Sequence, residues 1–173
     1  MNNDVMAELG YMMHTTDMDA LSDIKYCISA PQYDKIIGIG AGRMGYSLRA
    51  FMMRLSHMSF DTYFIGDTSL PRINEKSLVI INSSSGETET NILYARQAMA
   101  AGSFILTFTC NPDSTIGKLS NHVFKIPTIK SKQLMKSIYE QYTYLIFDMI
   151  VADYVEYFNL DTSVISQNHS ILE

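Results

Sequence analysis

The sequence has no stretch that would cross a bilayer as a helix. Its most apolar run, residues 144–152, contains Asp148 and falls well short of the roughly 20 residues that a span requires. The first residues carry acids at Asp4 and Glu8, with neither a basic leader nor an apolar core. No secretory signal is therefore expected, and the protein is placed in the cytoplasm. Cysteine is scarce. Cys27 and Cys110 stand far apart with no CxxC and no matching histidine pair, which argues against a disulfide framework and a zinc site and leaves reduced structural thiols. An excess of basic charge is also missing. With 13 Lys and Arg against 18 Asp and Glu, the formal net charge is −5, so the positive field of a nucleic-acid binder is absent.

What is present is globular. Apolar residues make up 47% and charged residues 18% of the 173 positions, a composition that buries a core and excludes a disordered chain. There is no internal repeat, low-complexity tract or linker. One domain is expected, with a helical arm over residues 1–30 and a body over residues 31–173. In the arm, Met6, Leu9, Met13, Leu21, Ile24 and Ile28 fall mostly three or four apart until Pro31, which predicts a helix. Such an arm fits either a partner subunit or its own body.

From Lys35 the period changes. Residues 35–40 (KIIGIG), 61–66 (DTYFIG), 78–82 (LVIIN), 103–109 (SFILTFT) and 122–126 (HVFKI) are short apolar runs. Helical patterns at 44–58, 89–101, 113–119 and 133–158 separate and follow them. Apolar strands alternating with helices predict an α/β fold: a single doubly wound, five-stranded parallel sheet with helices on both faces.

Such sheets bind ligands beyond the carboxyl ends of their strands. Two loops there carry suitable chemistry. Residues 40–45 read GAGRMG, with Asp67 22 residues beyond Gly45. This fits a dinucleotide fingerprint with a ribose-gripping acid. It fits equally a tight strand-to-helix turn that needs glycine for backbone reasons. Residues 83–88 read SSSGET. Hydroxyls at Ser83, Ser85 and Thr88, together with free N–H groups at a helix start, form a cradle for a phosphate dianion. The loop lacks the lysine of a Walker site. Its plain alternative is a helix cap with Glu87 in the first turn.

Glu140 stands in the long last helix, which is apolar on more than one side. At 100° per residue it shares a stripe with Tyr144, Phe147 and Val151. An apolar setting would raise its pKa toward that of a working base. The alternative is a solvated glutamate near a helix start. A helix apolar on several faces needs cover on two sides, which points to a homo-oligomer.

These segments together resemble the SIS (sugar isomerase) domain family, and within it the 6-phospho-3-hexuloisomerases. The family's GAGRS and the AFxMRLxHLGF-like helix after it are answered by residues 40–44 and 50–60. Its SGSGET is answered by residues 83–88, its MGSLFEQ by 135–141, and its C-terminal HANLE by 169–173. The resemblance implies a flavodoxin-like SIS fold. It also implies an intramolecular oxidoreductase that interconverts 3-hexulose 6-phosphate and fructose 6-phosphate through an enediolate, with no metal or redox cofactor. The phosphate would be held by Ser83, Ser84, Ser85 and Thr88. The backbone at Gly42 and the Arg43 side chain would face the sugar, and Glu140 would move the proton. His169 would arrive from an adjacent subunit of a tetramer or dimer. Nucleic acid and membrane are not expected partners.

The sequence departs from this pattern at Met44 (serine expected), Ser84 and Lys136 (glycine expected at each), Asn168 and Ile171. These departures leave two further readings open: a non-catalytic phosphosugar sensor using the same pocket, and an aldose–ketose phosphosugar isomerase of the same domain type.

Overall fold

A computed structural model describes residues 2–171. All five expected strands form: β1 Lys35–Gly40, β2 Thr62–Phe64, β3 Ser77–Asn82, β4 Phe104–Thr109 and β5 His122–Lys125. They make one sheet in the order β2-β1-β3-β4-β5, and every neighbouring pair is parallel. That order reverses direction between β1 and β3, the place where doubly wound sheets open a crevice for ligands.

The period of two along each strand divides the core. Ile36, Leu78, Ile80, Leu106, Phe108 and Phe124 face one layer of helices. Ile37, Ile39, Val79, Ile81 and Ile105 face the other. The first layer contains α1 Asn2–His14, α2 Met18–Ser29, α3 Gly42–His57 and α6 Ser137–Tyr157. The second contains α4 Glu89–Ala100 and α5 Thr115–Leu119. A short α7, Thr162–Gln167, follows α6. The central strands β1, β3 and β4 are buried on both faces, which is why their sequences are nearly continuously apolar, whereas the edge strands β2 and β5 are only partly buried.

α3 and α6 form the main helix pair over the sheet. Phe51 and Phe147 stack with ring centroids 4.7 Å apart, and Phe108 meets Phe147 edge-on at 5.0 Å. Aromatic contacts of this kind contribute about 0.5–1.5 kcal/mol beyond their area. They fix α6, and with it Glu140, against the strand ends.

The amino-terminal arm differs from its expected form in two ways. It is two helices, because Asp17 ends the first pattern and caps the second by accepting from the Ala20 N–H at 2.9 Å. Both helices pack on α6 of their own chain, with Met12 turned inward and Met6 left 71% exposed. A second side of the broad apolar α6 is therefore covered from within the chain, while Tyr144 and Leu145 on the same helix stay 50% and 44% exposed. Among the described residues, no helix is long and apolar enough to cross a membrane.

Candidate active site

Gly40 at the end of β1 pairs with Asn82 at the end of β3, so residues 40–45 and 83–88 leave the sheet side by side at its switch point. The glycine spacing of the first loop has a packing cause. A Cβ on Gly45 would lie 2.6 Å from the Gly40 carbonyl oxygen, and one on Gly40 would lie 2.9 Å from the Gly45 Cα. Glycine at both positions lets α3 begin directly against the strand end. Asp67 does not reach out as a ribose-binding acid would. It folds back to accept from the Phe64 N–H at 2.7 Å and pairs with Arg49.

The second loop encloses a cavity of about 140 Å3 with Ser83, Ser84, Ser85, Thr88, Asn91 and Lys136 on its walls. Whole-ligand pockets run roughly 300–1,000 Å3, so this cavity suits one anionic group and not a nucleotide. The α4 N-terminus opens onto it, and first-turn N–H groups have no acceptor within their own helix. The plain capping alternative fails on two counts. Thr88 is the N-cap of α4 but makes no side-chain cap bond. Glu87 turns away to accept from the Thr115 N–H at 2.8 Å, bracing the loop against α5, and that bond holds its carboxyl below the usual carboxylate range.

Gly86 is what lets the loop turn. Its φ is +67°, and a Cβ there would lie 1.9 Å from Ser114 Oγ. Ser85 Oγ accepts from the Glu87 N–H at 3.2 Å, which fixes that hydroxyl at the turn.

A wider cleft of about 560 Å3 lies on the other side of the α3 start, lined by Arg43, Tyr46, Ser47, Glu140, Gln141 and Tyr144. Arg43 Nε donates to Glu140 Oε1, an ion pair whose carboxylate side chain is 7% exposed and whose guanidinium is 71% exposed. The carboxylate therefore has a cationic partner reaching in from the solvent side, where the sequence pattern suggested only an apolar wall. Lys136 is the residue just before α6, and Glu140 stands in the first turn of that helix. The lip of the anion cavity and the carboxylate are thus joined by the start of α6.

A buried polar network aligns the two loops and α6. Asn82 Nδ2 donates to the Met44 carbonyl and to Ser47 Oγ, both at 3.0 Å. Ser47 Oγ lies 3.0 Å from Thr143 Oγ1, which donates to the Glu140 carbonyl at 3.1 Å. The Tyr139 hydroxyl sits 2.6 Å from Asn82 Oδ1 and 2.9 Å from the Phe108 carbonyl. Full burial pushes the Tyr139 phenol well above its ordinary pKa, so it remains a donor. Asn82, Ser47 and Thr143 lie outside the matched motifs, and Tyr139 lies inside residues 135–141 with no role assigned to it there. The available signal was polarity on faces that are otherwise apolar, as with Asn82 closing the run LVIIN.

The structure brings together Gly42, Arg43 and Glu140 on one side, and Ser83, Ser84, Ser85 and Thr88 on the other. His169 is elsewhere. It is exposed, its ring centroid 5.0 Å from that of His57 at the far end of α3. That end is about 21 Å along the helix from Arg43. Asn168 holds this tail in place by donating to the His57 carbonyl at 2.8 Å. Leu172 and Glu173, the last two residues of the C-terminal motif, lie outside the described residues.

Residues 32–149, well over half of the chain, match the family model of the SIS domain. The chain belongs to the SIS domain family, as its sheet order and strand-end loops also indicate. Within that family it is similar to the 3-hexulose-6-phosphate isomerase of Bacillus subtilis (strain 168), 33% identical over 166 residues that cover 91% of this chain and 87% of the relative. The 3-hexulose-6-phosphate isomerase of Methanocaldococcus jannaschii is 32% identical over 136 residues, covering 78% and 75%. A solved structure of a Methanococcus jannaschii protein, with an inferred molecular function of 3-hexulose-6-phosphate isomerase, matches with a TM-score of 0.87 at 28% identity, over 99% of this chain and 98% of that one.

Proposed function

We propose that the protein is a phosphosugar isomerase that interconverts 3-hexulose 6-phosphate and fructose 6-phosphate. The observation that carries this is a buried carboxylate, Glu140, in the first turn of the helix whose preceding residue, Lys136, lines a hydroxyl-lined anion cavity. The relatives named 3-hexulose-6-phosphate isomerase support the choice of sugar.

The phosphate docks on Ser83, Ser84, Ser85, Thr88 and the α4 N-terminus, and its binding energy orients the reacting carbons. Glu140 takes the proton from C2 of the 3-ketose, and the C3 carbonyl becomes one oxygen of a 2,3-enediolate. Glu140 then returns the proton to C3, while the proton of the C2 hydroxyl passes to the C3 oxyanion, leaving a C2 carbonyl and a C3 hydroxyl. Arg43 leaves the carboxylate and faces the developing oxyanion, joined by the backbone near Gly42. His169 of a neighbouring copy in a homo-oligomer handles the hydroxyl protons.

Nuclear magnetic resonance of fructose 6-phosphate in deuterated water tests the reaction. The protein is expected to exchange the hydrogen on C3. Exchange at C1 would instead mark an aldose–ketose isomerase, and binding without exchange would mark a sensor.

A further inference from the structure

Lys136 stands in a backbone conformation that its side chain does not favour. Met135 and Lys136 have φ of 49° and 63°, in the left-handed region where a Cβ crowds the following carbonyl. Glycine, which the motif comparison leads one to expect at 136, would hold this φ without strain. Strain kept in place beside a site has a consequence for what the side chain reaches.

Lys136 lines the anion cavity, and among the described residues it is the only charged one that does so. It also lines an adjoining cavity of about 250 Å3, and Ser84 and Lys136 are the two residues common to both. Together they form the wall between the two spaces. Its charge is felt there: burial pushes the Cys110 thiol up, while the contact with Ser84 and the Lys136 ammonium pull it down. Lys136 takes part in none of the ion pairs among the described residues. Met44, also among the lining residues, stands where the family pattern has a serine. The cavity has lost a neutral donor at 44 and gained a cation at 136.

We infer that Lys136 is a phosphate-binding residue of this chain, its ammonium closing the serine-lined cavity over a phosphate monoester dianion at the start of the helix that carries Glu140. This rests on the reading of that cavity as the phosphate site. Three charged donors on a strongly hydrated ammonium suit a dianion as a point charge.

Calorimetric titration of inorganic phosphate and of fructose 6-phosphate into the wild type, Lys136→Met and Lys136→Arg tests it. Lys136→Met is expected to weaken both ligands by roughly ten- to a hundredfold, the range for a lost charge-assisted hydrogen bond. It should also flatten the salt dependence of binding, while Lys136→Arg keeps most of the affinity. Lys136→Gly, which relieves the backbone, should lose affinity while folding at least as well as the wild type. That separates a lost charge from a damaged fold. Equal phosphate affinity in the wild type and Lys136→Met overturns the inference, as does a wild type that binds neither probe. A protein that isomerises no sugar, yet loses phosphate in Lys136→Met, leaves the inference standing and removes the isomerase reading.

Discussion

Tyr139 shows how much of the site depends on groups that never touch a substrate. Its side chain is 2% exposed, and its hydroxyl meets Asn82, which in turn holds the Met44 carbonyl and Ser47. Tyr139→Phe leaves Asn82 Oδ1 buried without that donor, and a loss of about 1–3 kcal/mol in stability is expected. Urea unfolding measures the stability, and a parallel drop in kcat is expected because the same network orients Glu140. An unchanged unfolding midpoint would show that the bond carries no weight. At this scale the sequence was partly legible. Glu140 is legible as a carboxylate on an apolar helix, and the loop at 83–88 as hydroxyls at a helix start. The pairing of Arg43 with Glu140 was not, since 97 residues separate them and only the packing of α3 on α6 joins them. The wall it provides is also charged where the helical stripe alone suggested apolar surroundings.

Among the elements, the central strands β1, β3 and β4 are legible to within a residue, because burial on both faces leaves little ambiguity in a five- or six-residue apolar run, whereas the edge strand expected over residues 61–66 forms only as Thr62–Phe64. The arm was harder. Helical spacing ran through Thr15 and Thr16, and only the Asp17 cap shows that the chain starts a new helix there. The link from this arm to the site was invisible in the sequence. Glu8, on α1, accepts from Ser131 Oγ at 2.6 Å, the Lys132 N–H at 2.9 Å and Gln133 Nε2 at 3.2 Å. It thereby holds the segment that leads into Lys136 and α6. Those bonds, Ser131 first, keep the Glu8 carboxyl below its usual range. A carboxyl with a lowered folded pKa stabilises above the unfolded value, and the stabilisation fades as pH falls through the carboxylate range. Thermal unfolding between about pH 3 and 7 should therefore show a steeper acid loss in the wild type than in Glu8→Gln. Identical pH profiles would contradict the role of Glu8. Glu8→Gln is also expected to raise the KM for phosphosugar, because the segment carrying Lys136 loosens.

For the whole molecule, α/β alternation predicted the class of fold, and the order β2-β1-β3-β4-β5 places both loops at one switch point. What lay beyond the sequence was which faces remain open. With α1 and α2 covering α6, the exposed aromatics that remain around the cleft are Tyr46 and Tyr144, 73% and 50% exposed. His169 lies far from its own Glu140, so its proposed role requires a second chain. Mixing Glu140→Gln with His169→Ala protein, after subunit exchange, should restore activity in up to roughly a quarter of the sites of a symmetric oligomer. No recovery would place His169 outside the reaction. In the proposed reaction a single carboxylate, in the first turn of the helix that follows Lys136, moves the hydrogen. The most direct test is the rate of deuterium exchange at C3 of fructose 6-phosphate in Glu140→Gln. A loss of about 10^2- to 10^4-fold is expected, with binding of the sugar phosphate retained. Exchange at the wild-type rate would contradict that role.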